Sequence, residues 1–242
     1  MLDERIEFEN FINSEGFFDY PQSNELQQET SLTTMETEKE RPVLSPSDYL
    51  VAFSTQSQSY CVGYVDIVNS TKLSASLRAD QLSQYYEIFL NSMSKIIGKF
   101  GGKVIKNIGD CLLYYFPNSA LSSEVGLTNC LDCGLAMSNA QSVITEEMRS
   151  KGLPGINYRI SADYGTVIMM NTNNSSSVDL IGPPVNMCAK INHCAGNNEF
   201  VVGNDLRQFT KKFQGYEYRE VQSCNVGFRS SYPVYRVTSS HR

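Results

Sequence analysis

The chain has 242 residues, of which 41% are hydrophobic and 19% charged, with seven cysteines, two histidines and no tryptophan. This length and composition fit one domain of about 200 residues with a sizeable core, and they exclude collagen, coiled coils, disulfide-rich miniproteins and wholesale disorder. No apolar run approaches the roughly 18 residues that a membrane-spanning helix needs, so we expect no membrane span. The odd number of cysteines, spread through apolar segments, predicts reduced core thiols in a cytoplasmic protein.

The formal net charge of −6 is distributed unevenly along the chain. Residues 1–45 hold 11 acidic and 3 basic side chains, whereas residues 46–242 hold 15 acidic and 17 basic ones. The acidity therefore belongs to the N-terminal segment, and the rest of the chain is nearly neutral. This argues against a nucleic-acid-binding protein, because such proteins neutralise many phosphates with basic side chains.

The N-terminal segment is predicted to be separate from the folded body. We expect residues 1–47 to form a flexible acidic segment and linker, and residues 48–242 to form one domain. Residues 20–47 are rich in Gln, Ser, Thr, Glu and Pro, and such a stretch buries too little apolar surface to offset its ordering entropy. The stretch before it contains Phe8 and Phe17 and is too apolar for a linker. Loose packing of this stretch on the body is favoured over its use as a docking peptide for a regulatory partner.

The body alternates between strand and helix patterns. In chain order these predict a strand at 60–65, a helix between 80 and 100, strands at 103–108 and 111–116, a helix over about 120–149, and strands at 158–164 and 166–170. Gly101 and Gly102 end the first helix, and Gly109 with Asp110 forms a tight turn between the next two strands.

This β-α-β-β-α-β order is that of a ferredoxin-like sheet. The predicted fold class is therefore α+β, with a ferredoxin-like palm sheet and extra C-terminal α/β elements. Those elements are a polar loop at 171–177, a short helix from Pro183, a strand at 200–202, a helix from Asn204, and strands near 216–221 and 233–237.

Two aspartates stand where the predicted sheet could bring them together. Asp66 follows the first strand, where a carboxylate can hold a divalent cation and the phosphates that it carries or can cap a helix. Asp110 lies in the hairpin turn, where aspartate is also common for conformational reasons alone. Because the first strand and the hairpin are neighbours in a β-α-β-β sheet, the two carboxylates could share metal ions, as in two-ion sites for in-line displacement at phosphorus.

Three motifs then occur in a particular order: YVDIVNST at 64–71, KNIGD at 106–110 and DLIGPPVN at 179–186. From about Ser59 to Val237 the chain resembles the catalytic domains of class III nucleotidyl cyclases of the adenylyl type. The resemblance implies conversion of ATP to 3′,5′-cyclic AMP and pyrophosphate by a homodimer, in which the catalytic domains pair head to tail and each active site uses both chains. It also implies two Mg²⁺ or Mn²⁺ ions per site, assigned to Asp66, Ile67 and Asp110.

The resemblance assigns Lys106 and Asp179 to recognition of the base. A lysine can donate to a ring nitrogen of adenine, and a carboxylate can accept from its exocyclic amine. Guanine presents an oxygen where adenine carries the amine, so Asp179 would face an acceptor. The guanylyl-selective members have glutamate and a small residue at these two positions. The pair therefore indicates ATP.

Asn186 and Lys190 share one face of the helix predicted from Pro183. Asn186 matches the family residue that orients the ribose and the transition state. Lys190 stands where the family usually has arginine, which stabilises charge on the transferring phosphate. Lysine keeps the charge but loses the planar fork that binds phosphate bidentately.

A second departure from the family pattern is Val226, where the family often has a lysine that contacts the terminal phosphates. Arg229 is close enough in sequence to substitute, and it joins Thr71 among the predicted substrate-binding residues. The departures at Val226 and Lys190 support the alternative of a catalytically weak, cyclase-like domain that acts as a nucleotide-binding or regulatory module. A nucleic-acid polymerase palm would share the sheet and the paired aspartates, but the small size and nearly neutral body disfavour it.

Overall fold

The computed structural model describes residues 2–19, 51–172, 178–222, 224 and 232–240. The helices are α1 (Leu2–Ile12), α2 (Ser70–Ser76), α3 (Ala79–Lys99), α4 (Glu124–Ser150), α5 (Pro183–Asn192) and α6 (Asn204–Thr210), with a 3₁₀ helix at Pro117–Ser122. The strands are β1 (Val51–Ile67), β2 (Lys103–Ile108), β3 (Cys111–Phe116), β4 (Tyr158–Thr172), β5 (Val178–Ile181), β6 (Phe200–Gly203), β7 (Tyr216–Glu220) and β8 (Val234–Ser239). Within these ranges no helix is both long and apolar enough to cross a membrane.

The strands of the described residues form one mixed sheet in the order β2-β3-β1-β4-β6-β8-β7, with β5 paired to β4. Its first four strands have the order β2-β3-β1-β4, which is the ferredoxin-like arrangement. The predicted α+β fold is therefore confirmed. The strands β6, β7 and β8 extend this sheet beyond β4, and β6 runs parallel to β4 whereas the other pairs are antiparallel.

The sheet is covered on both faces, as the alternating side chains of β3 make plain. All six residues of β3 are buried. Leu112, Tyr114 and Phe116 belong to the large core that includes residues of α3 and α4, whereas Leu113 and Tyr115 belong to a second cluster that includes Cys188 of α5. Because successive strand residues point to opposite faces, α3 and α4 lie on one face and α5 lies on the other.

Several element boundaries differ from those predicted. The first strand spans 17 residues rather than six, because pairing with β4 extends it into a polar stretch that has no apolar alternation. The strands predicted at 158–164 and 166–170 are one continuous strand, β4. A 3₁₀ helix precedes α4 where one unbroken helix was predicted, and β5 was not predicted.

Residues 2–19 pack on the body. Phe8 and Phe17 are buried in the core formed with α3 and α4. Lys95 on α3 donates from Nζ to the main-chain carbonyls of Gly16, Phe17 and Asp19 at 2.7–3.1 Å. This agrees with the packing interpretation of the apolar N-terminal stretch. The domain division at 47/48 and the regulatory partner stay predictions, because residues 20–50 lie outside the described residues.

We expect the substitution Phe17→Ala to lower the free energy of unfolding by about 3 kcal/mol. The ring is 3% exposed, and its loss would leave a cavity that the terminal segment can only partly close. Urea denaturation of the two proteins measures the difference. Glu15→Ala, at an exposed position of the same segment, is the control. Equal stability of Phe17→Ala and the wild type would contradict a contribution of this segment to the core.

The cysteines follow the sequence prediction only in part. Five of them are free and buried. Cys194 and Cys224 form a disulfide, with their Cα atoms 5.2 Å apart, so the prediction that all seven thiols are reduced is wrong for this pair. The physical reason is proximity, since the end of α5 and the chain that follows β7 meet within the distance that a disulfide spans.

A buried carboxylate ties β4 to the C-terminal elements. Asp163 accepts hydrogen bonds at Oδ1 from the amides of Tyr164 and Leu206, and at Oδ2 from the hydroxyl of Tyr232. A Cβ on Gly203 would lie 2.4 Å from this carboxylate, so the approach requires glycine. Burial raises the pKa of Asp163 to about 6, although the three hydrogen bonds act to lower it.

This raised pKa predicts a pH dependence of stability. The ordinary pKa is 3.8, so the native chain holds the proton of Asp163 more tightly than the unfolded chain does. The contribution to stability is therefore complete below pH 4 and lost as the pH rises through 6. Asp163→Asn cannot ionise, so between pH 4 and 8 it should gain about 3 kcal/mol relative to the wild type. Urea denaturation of both proteins across this range tests the prediction, and a pH-independent difference would contradict it.

Candidate active site

The sheet brings together the two aspartates predicted to bind metal. Asp66 is the penultimate residue of β1, and Asp110 is the turn residue immediately before β3. The β1–β3 register sets Asp66 opposite Cys111, and the side chains of Asp66 and Asp110 share a hydrogen bond. Two carboxylates held this close repel each other when both are charged, and a divalent cation between them would offset that repulsion.

The pKa of Asp66 is raised by burial, by the charge of Asp110 and by their hydrogen bond, while the charge of Arg159 acts to lower it. Arg159 lies directly opposite Asp66 on β4. Its Nε is buried and has no hydrogen-bond partner among the described residues. Arg159 was not among the site residues predicted from the sequence, although a basic side chain in a largely apolar strand was a signal that could have identified it.

Asp66 and Arg159 point to the same face of the sheet. Val65 and Ile67, on either side of Asp66, belong to the core that includes α3 and α4, and so do Tyr158 and Ile160, on either side of Arg159. Since strand residues alternate between faces, Asp66 and Arg159 lie on the opposite face, which α5 covers.

The donor set at Asp66 and Asp110 fits a hard divalent cation, which prefers carboxylate oxygens. A bound cation would offset the repulsion from Asp110 that helps to raise the pKa of Asp66. The side chain of Ile67 is a buried hydrocarbon without a donor atom, so the ligand assigned to this residue would be its main-chain carbonyl. Within the described ranges no group of three or more His, Cys, Asp or Glu side chains comes together. Water and phosphate oxygens would therefore have to complete the coordination.

The two residues predicted to recognise the base also meet. Lys106 on β2 and Asp179 on β5 form a hydrogen-bonded ion pair between Nζ and Oδ2. The other carboxylate oxygen, Oδ1, accepts from the amide of Leu180 at 2.8 Å, which fixes the orientation of the carboxylate. The contact joins residues 73 positions apart and depends on the pairing of β5 with β4.

Helix α5 presents Asn186 and Lys190 on its exposed side. Its opposite side is buried and includes Cys188 and Asn192. The Nδ2 of Asn192 donates to the main-chain carbonyls of Tyr64 at 3.4 Å and Arg159 at 3.1 Å. These bonds fix the helix against β1 and β4, the two strands that carry Asp66 and Arg159.

The remaining predicted contacts are less well defined. Thr71 is exposed in the first turn of α2, five residues after Asp66. Arg229 and Val226 lie outside the described residues, so their assignments stay predictions.

Comparison with known proteins identifies the family of the chain. The sequence model of the adenylate and guanylate cyclase catalytic domain matches residues 53–238. The chain belongs to this family, as its motifs predicted. Domains of this family act on nucleotides, generally use divalent metals and often dimerise.

The similar proteins differ in the nucleotide that they are named for. The cytidylate cyclase of Staphylococcus aureus is 21% identical over 195 residues, which are 75% of this chain and 45% of that protein. The chain thus spans less than half of that relative. The adenylyl cyclase CyaB from P. aeruginosa superimposes with a TM-score of 0.69 at 24% identity, covering 77% of this chain and 97% of that structure. The guanylyl cyclase Cya2 gives 0.68 at 17% identity, covering 77% and 94%.

Proposed function

We propose that the chain is an adenylate cyclase that converts ATP to 3′,5′-cyclic AMP and pyrophosphate. The observation that carries this proposal is the pairing of Lys106 with Asp179. A donor and an acceptor held side by side complement an edge that has a ring-nitrogen acceptor beside an amine donor, as in adenine. Guanine and uracil carry the reverse order, an N–H beside a carbonyl, so GTP and UTP are disfavoured.

The base could displace the existing ion pair at little cost. The side chains of Lys106 and Asp179 are 41% and 24% exposed, and an ion pair with that access to water contributes on the order of 1 kcal/mol or less. Each partner would exchange one hydrogen bond for another with the base. The amide of Leu180 would continue to orient Asp179.

For the phosphates, Asp66 and Asp110 would hold two divalent cations. When bound, such ions lower the pKa of the ribose hydroxyl and neutralise charge on the phosphates. Arg159 has an unpaired, buried Nε beside Asp66, and we assign it a contact with a phosphate oxygen. Val226 stands where the family often has a lysine, and Arg159 would supply part of the positive charge of that lysine.

Asn186 and Lys190 would complete the site from the second chain. Both lie on the exposed side of α5, where a partner domain can reach them, and the family resemblance implies head-to-tail pairing. Asn186 would orient the ribose. Lys190 would stabilise charge on the α-phosphate as the new bond to the 3′-oxygen forms.

A mixture of two inactive variants tests this shared site. Asp66→Ala and Asn186→Ala should each be inactive, whereas mixed dimers should hold one intact site. After subunit exchange at equal concentrations, about a quarter of the wild-type activity should return, since half of the dimers are mixed and each has one working site. Cyclic nucleotide formation before and after mixing measures this recovery. No recovery, with exchange verified by differently tagged chains, would contradict the model.

Product identification tests the proposed function directly. The purified protein is incubated with ATP, CTP, GTP or UTP and either Mn²⁺ or Mg²⁺, and products are identified by mass and chromatography. We expect 3′,5′-cyclic AMP and pyrophosphate from ATP, with Asp110→Asn as the inactive control. No cyclic product from any nucleotide would favour the regulatory-module alternative.

One observation favours a second substrate. Cytosine carries a ring-nitrogen acceptor beside an exocyclic amine, so its edge matches Lys106 and Asp179 as well as adenine does. A relative named as a cytidylate cyclase is among the similar proteins. The same panel therefore decides between ATP and CTP: a kcat/KM for CTP above that for ATP would make the chain a cytidylate cyclase with the same site residues.

A further inference from the structure

Cys194 and Cys224 differ from the other cysteines in their exposure. Cys61, Cys111, Cys130, Cys133 and Cys188 are all buried and free. Cys194 and Cys224 are half-buried and joined as a disulfide. Thiol chemistry is selective for accessible sulfur atoms, so soluble oxidants and reductants can reach this pair while the buried thiols stay protected.

The bridge joins the helix that carries Asn186 and Lys190 to the chain that follows β7. Cys194 lies two residues after the end of α5 and four residues after Lys190, and its amide donates to the carbonyl of Ile191 at 2.9 Å. Cys224 immediately precedes the stretch that contains Val226 and Arg229. The disulfide therefore ties the end of α5, the helix that carries Asn186 and Lys190, to the chain that follows β7.

The residues around the bridge also hold the two cysteine side chains in place. Cys194 and Cys224 pack with Tyr232 against a small cluster that includes Ile191 and Val234. This cluster lies between α5 and β8, and it remains apolar whether the sulfur atoms are bonded or not. The two thiols would consequently stay close after reduction, which favours closure of the bond again.

We propose that Cys194 and Cys224 form a reversible redox modification site that controls affinity for the nucleotide triphosphate. With a peroxide as oxidant, one thiolate attacks a peroxide oxygen, the O–O bond breaks, and a sulfenic acid and one water result. The second thiolate attacks that sulfur and displaces hydroxide, which takes a proton and leaves as water. Two electrons pass from the sulfur pair to the peroxide, and a dithiol reductant reverses the reaction. The effect on affinity rests on the proposed function.

Reversible disulfide formation between Cys194 and Cys224 is tested by measurements that do not depend on enzymatic activity. After treatment with dithiothreitol and its removal, thiol titration of denatured protein should count seven thiols. After hydrogen peroxide it should count five, and a peptide linking Cys194 to Cys224 should appear by mass spectrometry. The oxidised protein should have a Tm about 5–10 °C higher. The double variant Cys194→Ser/Cys224→Ser should give five thiols and the same Tm in both states. Seven thiols after peroxide, or five after native reduction, would overturn the reversible pair.

Affinity is tested by calorimetry of ATP binding in the presence of Ca²⁺. We expect reduction to raise the Kd about tenfold, because the helix that carries Asn186 and Lys190 then loses a covalent tether and must be positioned at the expense of binding energy. The double variant should bind like the reduced protein and should not respond to peroxide. Equal Kd in the two redox states would overturn the control of affinity. Absence of ATP binding in both states would instead contradict the proposed function, while thiol counts and Tm still decide the redox site.

Discussion

Asp66→Asn and Asp110→Asn should each lower kcat/KM by about 10³-fold or more while leaving the metal-free protein as stable as the wild type or more stable. The loss follows because each substitution removes an anionic ligand, and the charge stabilisation that a bound cation provides amounts to several kcal/mol. The gain in stability follows because burial and the charge of Asp110 raise the pKa of Asp66 in the metal-free chain, and a neutral amide at either position ends the repulsion between the two carboxylates. Steady-state kinetics and thermal unfolding measure the two effects.

A loss of activity without a loss of stability distinguishes a residue that binds metal from one that maintains the fold. Asp80→Asn is the matched control, because Asp80 is exposed and forms an ion pair with the exposed Arg78 at 2.9 Å. We expect that variant to keep wild-type kcat/KM. Near-normal activity of Asp66→Asn or Asp110→Asn with Mg²⁺ would refute the two-ion assignment.

The sequence was sufficient to predict the meeting of Asp66 and Asp110, because it depends only on topology. A β-α-β-β order forces the hairpin beside the first strand, and a turn residue next to β3 then faces the end of β1. The observed register, with Asp66 opposite Cys111, is the consequence. Local pattern and connection rules were enough, and no side-chain detail was needed.

The pairing of Lys106 with Asp179 could not be derived in the same way. It depends on β5, a four-residue strand that is too short to show a pattern and that pairs with the far half of β4. Only the resemblance to the cyclase family predicted a common role for the two residues. The ion pair itself became apparent only when the edge strands were in place.

Tertiary context also explains the features that sequence reasoning missed. The N-terminal half of β1 contains Ser57 and Gln58 and has no strand pattern of its own, yet pairing with β4 holds it in the sheet. Arg159 becomes a candidate site residue only because it lies opposite Asp66 on the neighbouring strand. The disulfide between Cys194 and Cys224 spans 30 residues, and cysteine spacing alone does not specify connectivity.

Lys190→Ala should lower kcat by about 10²–10³-fold, the range for loss of one charge-assisted contact in a transition state, with a much smaller change in KM. The contact would tighten mainly as charge develops on the α-phosphate, so its loss affects turnover more than binding. Lys190→Arg should preserve or raise kcat, because a guanidinium can bridge two phosphate oxygens. Lys151→Ala, which removes an exposed cation paired with Glu147 on α4, is the control and should leave both constants unchanged. Steady-state kinetics of the four proteins provides the comparison. Wild-type turnover by Lys190→Ala would reduce Lys190 to a surface residue of α5, whereas activity gained only in Lys190→Arg would identify the natural chain as the catalytically weak, nucleotide-binding module.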